Sequence, residues 1–241
     1  MVMQKPNKFD YPKQLTWKNL TIATLWSLPL FLLIQIPMFL QAKQCIDSGA
    51  AGCELTVNVG LALLGMAGIP IALLVMRKKN SWSWADLGLS RPKVTKREAL
   101  RLLGLGILLI IALDIIMNLF ALRFPVAGEE QFSFGKEYFV QNILVLSLFA
   151  IGLAPFVEEL LYRGLLLSSI GRRYGFMAGA ILGSIIFGLS HGQIAAASVT
   201  FIMGMYLSWM YRKTNSLWLG IILHLLNNSV AVMALYLAGP R

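Results

Sequence analysis

The sequence predicts an all-α fold, a polytopic membrane helix bundle of about seven transmembrane helices, and three observations carry that prediction. Of 241 residues, 57% are hydrophobic and 13% charged, with a mean hydropathy of +0.70, whereas a soluble domain carries about 25% charged residues. The apolar residues gather into runs long enough for bilayer-spanning helices, and they lack the period-two alternation of a membrane barrel. The formal charge of +10 is scattered through the connections between runs. It reads as orienting charge, not as a nucleic-acid surface, so no nucleic-acid partner is expected.

Taken in order, spans are expected near residues 20–40, 55–76, 100–122, 139–157 and beyond, 176–190, 194–211 and 217–237. Lys5, Lys8, Lys13 and Lys18 precede the first and place the N-terminus in the cytoplasm. Lys43 faces Asp47 and Glu54 in an external loop; Arg77-Lys78-Lys79 with Arg91, Lys93, Lys96, Arg97 and Arg101 is the strongest inside signal. Glu129, Glu130 and Glu137 lie outside; Arg172-Arg173 and Arg212-Lys213 return inside. A short extra helix in the 80–94 connection, making eight, leaves this alternation intact. The first 19 residues are polar and basic, so no cleavable leader is expected. The division is then a cytoplasmic segment 1–19, N-terminal spans with the basic loop at 20–98, and a catalytic membrane core at 99–238.

Within the core, Glu158-Glu159-Leu160-Leu161-Tyr162-Arg163 stands out, because residues 139–157 before it carry no charge. Carboxylates in such surroundings cost roughly 3 kcal/mol each on insertion scales and mark functional sites by default. Glu159 and Arg163 are four apart and can pair on one helix face. Glu158 points about 100° away and is the spare group. Pro155 is expected to kink this helix and free a carbonyl near the site. His191 and His224 are the chain's two histidines. His191 ends Phe187-Gly188-Leu189-Ser190-His191, and His224 shares a face with Asn228, while Asn227 should face elsewhere. If the fourth helix runs on through Ile170 to a turn at Gly171–Gly175, Glu158 and His191 lie level, each roughly 22–25 Å from that turn. The loop His191-Gly192-Gln193 then sits at membrane depth, beside protein or a water-filled cavity.

Two chemistries fit these residues. In one, Glu158 and His191 activate water as general base while His224 and Asn228 stabilise an oxyanion. In the other, Glu158, His191 and His224 hold a catalytic zinc with one open position. Asn228 favours the first, since a neutral amide is a good oxyanion donor and a poor zinc ligand, so no cofactor is preferred and zinc is the alternative. Elsewhere, Asp114 and Asn118 are four apart in the third span and read as a hydrogen-bonded pair joining helices rather than as catalysts. Cys45 and Cys53 share an external loop, where a disulfide and two free thiols both fit. Gly179 and Gly183 would let a neighbouring backbone approach.

Together, Glu158-Glu159…Arg163, Phe187…His191 and His224…Asn228 resemble the EExxxR, FxxxH and HxxxN signatures of the CAAX prenyl endopeptidase and bacteriocin-processing (CPBP, or Abi) family of intramembrane proteases. The likeness covers roughly residues 139–232, with Asp86-Leu87-Gly88-Leu89 as a further family-like stretch. It implies an endopeptidase cutting near the cytoplasmic face of a bacterial cell membrane. Glu158 and His191 would activate water, His224 and Asn228 would form the oxyanion hole, and Glu159 and Arg163, with Phe187, would support the site. The substrate would be a membrane-associated peptide or protein: a prenylated CAAX protein in the eukaryotic case, maturing or quorum-sensing peptides in the bacterial branch that this short chain resembles. The competing reading is a non-enzymatic membrane regulator or bacteriocin-immunity protein acting by contact. A transporter would show internal repeats, and the sequence has none.

Overall fold

The computed structural model describes residues 9–14, 16–19, 21–26, 68, 71–123, 147–191 and 194–237. Most of the first two expected spans, Cys45 and Cys53, the acidic loop around Glu129 and the Asn118 side chain lie outside the described residues. What is described is all-α.

A single 3₁₀ turn, Ala85–Leu87, stands in the basic loop where an extra short helix was allowed for. Helix α1, Lys96–Arg123, follows. Its start is written locally: the Glu98 N–H donates to Thr95 Oγ1 at 3.2 Å, within a Thr-x-x-Glu capping sequence. Its stretch Lys96–Met117 has a mean hydropathy of 2.4 and is, among the described residues, the helix both long and apolar enough to cross a membrane. Leu108, Ile115, Ile116 and Leu119 are all more than half exposed on it, an outward apolar face that suits lipid rather than water.

The next helix is not uniform. A π-helical stretch, Leu148–Leu153 (π1), gives way to a short α-helix, Ala154–Glu158 (α2). A second π stretch, Glu159–Leu167 (π2), passes into Ser168–Tyr174 (α3). The helix therefore runs past Ile170 as the sequence suggested, and turns at Gly175, whose φ of 90° is open to glycine. Helix α4, Phe176–Leu189, returns antiparallel and ends at Ser190 and His191. Helices α5, Ile194–Thr214, and α6, Trp218–Leu237, complete the core.

The chain divides into two compact units. One holds Met1–Leu20, Trp82–Leu109 and Glu159–Gly220; the other holds Thr21–Ser81, Ile110–Glu158 and Ile221–Arg241. In the first unit the α4 glycines behave as expected: a Cβ on Gly179 would run into the Leu167 carbonyl, and one on Gly183 would lie 3.4 Å from the Tyr162 carbonyl. The basic loop is tied to the α5–α6 turn. Lys93 N–H donates to the Thr214 carbonyl at 2.7 Å, Leu217 N–H to Gly88 at 3.0 Å, and Ser216 Oγ to Ser90 at 2.5 Å. Gly88 has φ 76°, and a Cβ there would meet Tyr211 Oη at 2.9 Å. Phe9 packs edge-on against Tyr11, Phe176 and Tyr211, and Arg172 donates to the Pro12 carbonyl, so the N-terminal segment is anchored to the same end of this unit.

Candidate active site

Pro155 organises the second unit's share of the site. In a π series each carbonyl bonds the N–H five residues on. After the carbonyls that build π1, the next is Ala150, and its partner would be residue 155. Proline has no N–H, so the series stops and the helix resumes as α2. The Ala150 carbonyl accepts instead from Asn228 Nδ2, on α6, at 2.7 Å. This is the freed carbonyl that Pro155 predicted.

Two turns along, Glu158 Oε2 lies 3.5 Å from His224 Nε2. Residue numbers rise from 150 to 158 on one helix while they fall from 228 to 224 on the other, so the two contacts are rungs between antiparallel helices. Both side chains are buried, Glu158 at 7% and His224 at 4% relative exposure. Asn227 does not stand apart, as its position on the helix suggested. Its Nδ2 donates to Asn228 Oδ1 at 3.2 Å. The Asn228 amide is thus held from both ends, with one Nδ2 hydrogen still to give. That Asn228 binds backbone was not foreseen.

The first unit holds the other half of the motif. Arg163 Nη1 donates to Glu159 Oε1 at 2.6 Å, and both side chains are 1% exposed. Residues four and five apart bracket one turn in the π register, so the pair stays on one face of π2. The guanidinium lies 4.2 Å over the Phe187 ring, a cation–π contact in a desolvated setting. Phe187 in turn meets Tyr162 with ring centroids 4.8 Å apart and makes a T-shaped contact with His191 at 5.1 Å. His191 Nδ1 lies 2.9 Å from the Phe187 carbonyl. A carbonyl can only accept, so Nδ1 carries the proton and the Nε2 lone pair is left for chemistry. Ser190 Oγ donates to the same carbonyl at 2.8 Å, and the His191 side chain is exposed at the end of α4. Ser190 was not singled out in the sequence, and neither were Ala150, Ser184, Gly204 and Gly220, which line these groups.

Of the residues expected to act together, Glu158, His224 and Asn228 fall in one unit, and His191, Glu159, Arg163 and Phe187 in the other. Glu158 and His224 offer two donors to a metal. Among the described residues, no three of the His, Cys, Asp and Glu side chains are grouped to hold an ion.

Comparison with known proteins bears on the same residues. A family model described as type II CAAX prenyl endopeptidase Rce1-like matches residues 140–230, the stretch that carries all three motifs. That part of the chain is similar to the Rce1-like CAAX prenyl endopeptidases. MroQ of Staphylococcus aureus (strain USA300), a membrane-embedded CAAX protease, is 24% identical over 223 residues, covering 88% of each chain. YdiL of Bacillus subtilis (strain 168), a putative membrane peptidase, is 25% identical over 79 residues, which are 33% of this chain and 32% of that protein. No solved structure matches the chain significantly. Similarity to membrane proteases makes hydrolysis the chemistry to be explained. It also agrees with an apolar exterior on α1.

Proposed function

We propose that this chain is an intramembrane endopeptidase that hydrolyses a peptide bond of a membrane-associated peptide or protein, without a metal. Glu158 and His191 take a proton from water as its oxygen attacks the scissile carbonyl carbon. The carbonyl π electrons move to oxygen, and the oxyanion accepts hydrogen bonds from His224 and from the Nδ2 hydrogen that Asn228 has left. The proton passes to the amide nitrogen, the C–N bond breaks, and a carboxylate and an amine leave. Glu159 and Arg163 neutralise each other, which leaves Glu158 as the carboxylate able to exchange protons.

The observation that carries this reading is the buried approach of Glu158 to His224, 3.5 Å apart in an apolar helix pair. Such a distance is long for a charge-assisted hydrogen bond, as resting active sites often are before substrate tightens them. A CAAX substrate is the first to try, given the names of the family and of MroQ.

The test is cleavage by the purified full chain in bilayers of a prenylated CAAX-terminated reporter and of unprenylated hydrophobic peptides, with products read by mass spectrometry. Glu158→Ala and His191→Ala should each abolish turnover while the protein stays folded. If both variants cleave at the wild-type rate, the enzyme reading fails. Zinc near one per chain, with activity lost to a chelator and restored by zinc, would overturn the metal-free mechanism.

A further inference from the structure

Two helices that carry no acid or arginine of the motif carry glycine where they cross the Glu159–Arg163 pair. A Cβ on Gly204 of α5 would stand 3.1 Å from Arg163 Nη2 and 2.9 Å from Ser184 Oγ. One on Gly220, in the first turn of α6, would stand 2.9 Å from Glu159 Oε2. Neither residue has a positive φ, so neither is glycine for its backbone freedom. Inside a helix glycine is about 0.5–1 kcal/mol worse than alanine. Volume is the remaining reason. The space that a methyl would take on Gly204 is shared by Ser184 and the guanidinium of the ion pair, and on Gly220 it is filled by the carboxylate.

The guanidinium has little freedom to yield. Arg163 is 1% exposed, clamped by Glu159 at 2.6 Å and seated 4.2 Å over the Phe187 ring. Pushed from the Gly204 side, it slides across that ring or tilts it. The same ring makes a T-shaped contact with the His191 imidazole, centroids 5.1 Å apart, and the Phe187 carbonyl holds His191 Nδ1 at 2.9 Å. Gly204, Arg163, Phe187 and His191 are thus one unbroken series of contacts inside one compact unit. We propose that Gly204 is a positioning residue for His191: the missing side chain lets the buried guanidinium hold the Phe187 ring, and the ring sets the imidazole. Gly220 serves the carboxylate end of the same clamp. The inference rests on the reading of His191 as part of the water-activating base, and names what fixes its orientation.

The two histidines make the proposal measurable without turnover. Full chain purified on a tag without histidine and labelled with ¹⁵N-histidine shows two imidazoles, assigned through His224→Gln. Gly204→Ala should move the His191 signals and leave those of His224 in place. It should also lower kcat by about tenfold or more with KM within about twofold, as expected when a catalytic group is misplaced by a fraction of an ångström. Gly104→Ala, with nothing within 4 Å of its Cβ, is the silent control. Should Gly204→Ala not fold, Gly220→Ala presses on the Glu159 end and must move the same His191 signals. Folded Gly204→Ala, or in its place Gly220→Ala, with unshifted His191 signals overturns the proposal. A wild-type chain that cleaves nothing, with His191 still shifted by Gly204→Ala, sinks the peptidase reading alone.

Discussion

Glu158 and Glu159 differ by one position and by everything that surrounds them. Glu159 is closed off against Arg163, while Glu158 faces a histidine. Their substitutions should therefore fail differently. Glu158→Gln keeps the volume and removes the base, so kcat should fall about 10²–10⁴-fold with the unfolding transition unchanged. Arg163→Met strands a buried carboxylate and should destabilise the protein by about 3–5 kcal/mol. Adding Glu159→Leu removes the stranded charge and should recover most of that loss. Unfolding titrations in detergent distinguish the two patterns, and a stable Arg163→Met single variant would mean that the pair is not sealed from water. The carboxylates were legible from spacing alone as one facing Arg163 and one turned elsewhere. The role of the Asn228 amide was not, because its partner is a backbone carbonyl of alanine, and no side-chain pattern encodes which carbonyl a distant proline sets free.

At the scale of elements, the helix between residues 147 and 174 owes its shape to Pro155. Pro155→Ala supplies the missing N–H, which can take the helix hydrogen bond that Asn228 Nδ2 now replaces. The variant should be as stable as wild type or more so, because alanine suits a helix better. Its kcat should nonetheless drop about tenfold, the equivalent of one neutral hydrogen bond near the site. Equal activity would show that the Ala150–Asn228 rung positions nothing. The basic loop offers a pH test. Ser83 donates to Asp86 through its hydroxyl at 2.7 Å and its N–H at 2.8 Å, which holds the carboxyl below its ordinary range. A depressed carboxyl stabilises the fold above its unfolded pKa of about 3.9 and loses that contribution as pH falls through the lower folded value. Protection of the Ser83 amide from hydrogen exchange should persist through neutral pH and vanish in acid, and Ser83→Ala should abolish the pH dependence. The Thr95 cap was not singled out in the sequence, whereas the run of the fourth helix past Ile170 was readable there. The two π stretches were not, since π and α registers share one apolar composition and differ only in which packing partners claim the side chains.

For the whole molecule, the charge alternation predicts a topology that labelling can check. In intact cells Cys45 and Cys53 should react with a membrane-impermeant thiol reagent, after reduction if they are bridged. Single cysteines at Arg173 and Lys213, in a chain with Cys45→Ser and Cys53→Ser, should react only once the membrane is made permeable. Labelling of residue 173 from outside would reverse the orientation. The sequence by itself determined the helical class, the membrane setting and the identity of the ionisable residues, because hydropathy, charge placement and i,i+4 spacing are local quantities that need no knowledge of which helices meet. Only the tertiary structure decided that Glu158 lies against His224, that Asn228 caps a carbonyl freed by Pro155, and that Gly204 and Gly220 leave room for the buried ion pair. Those facts depend on how closely backbones distant in the chain approach one another, and packing distance between helices is written in no single stretch of residues.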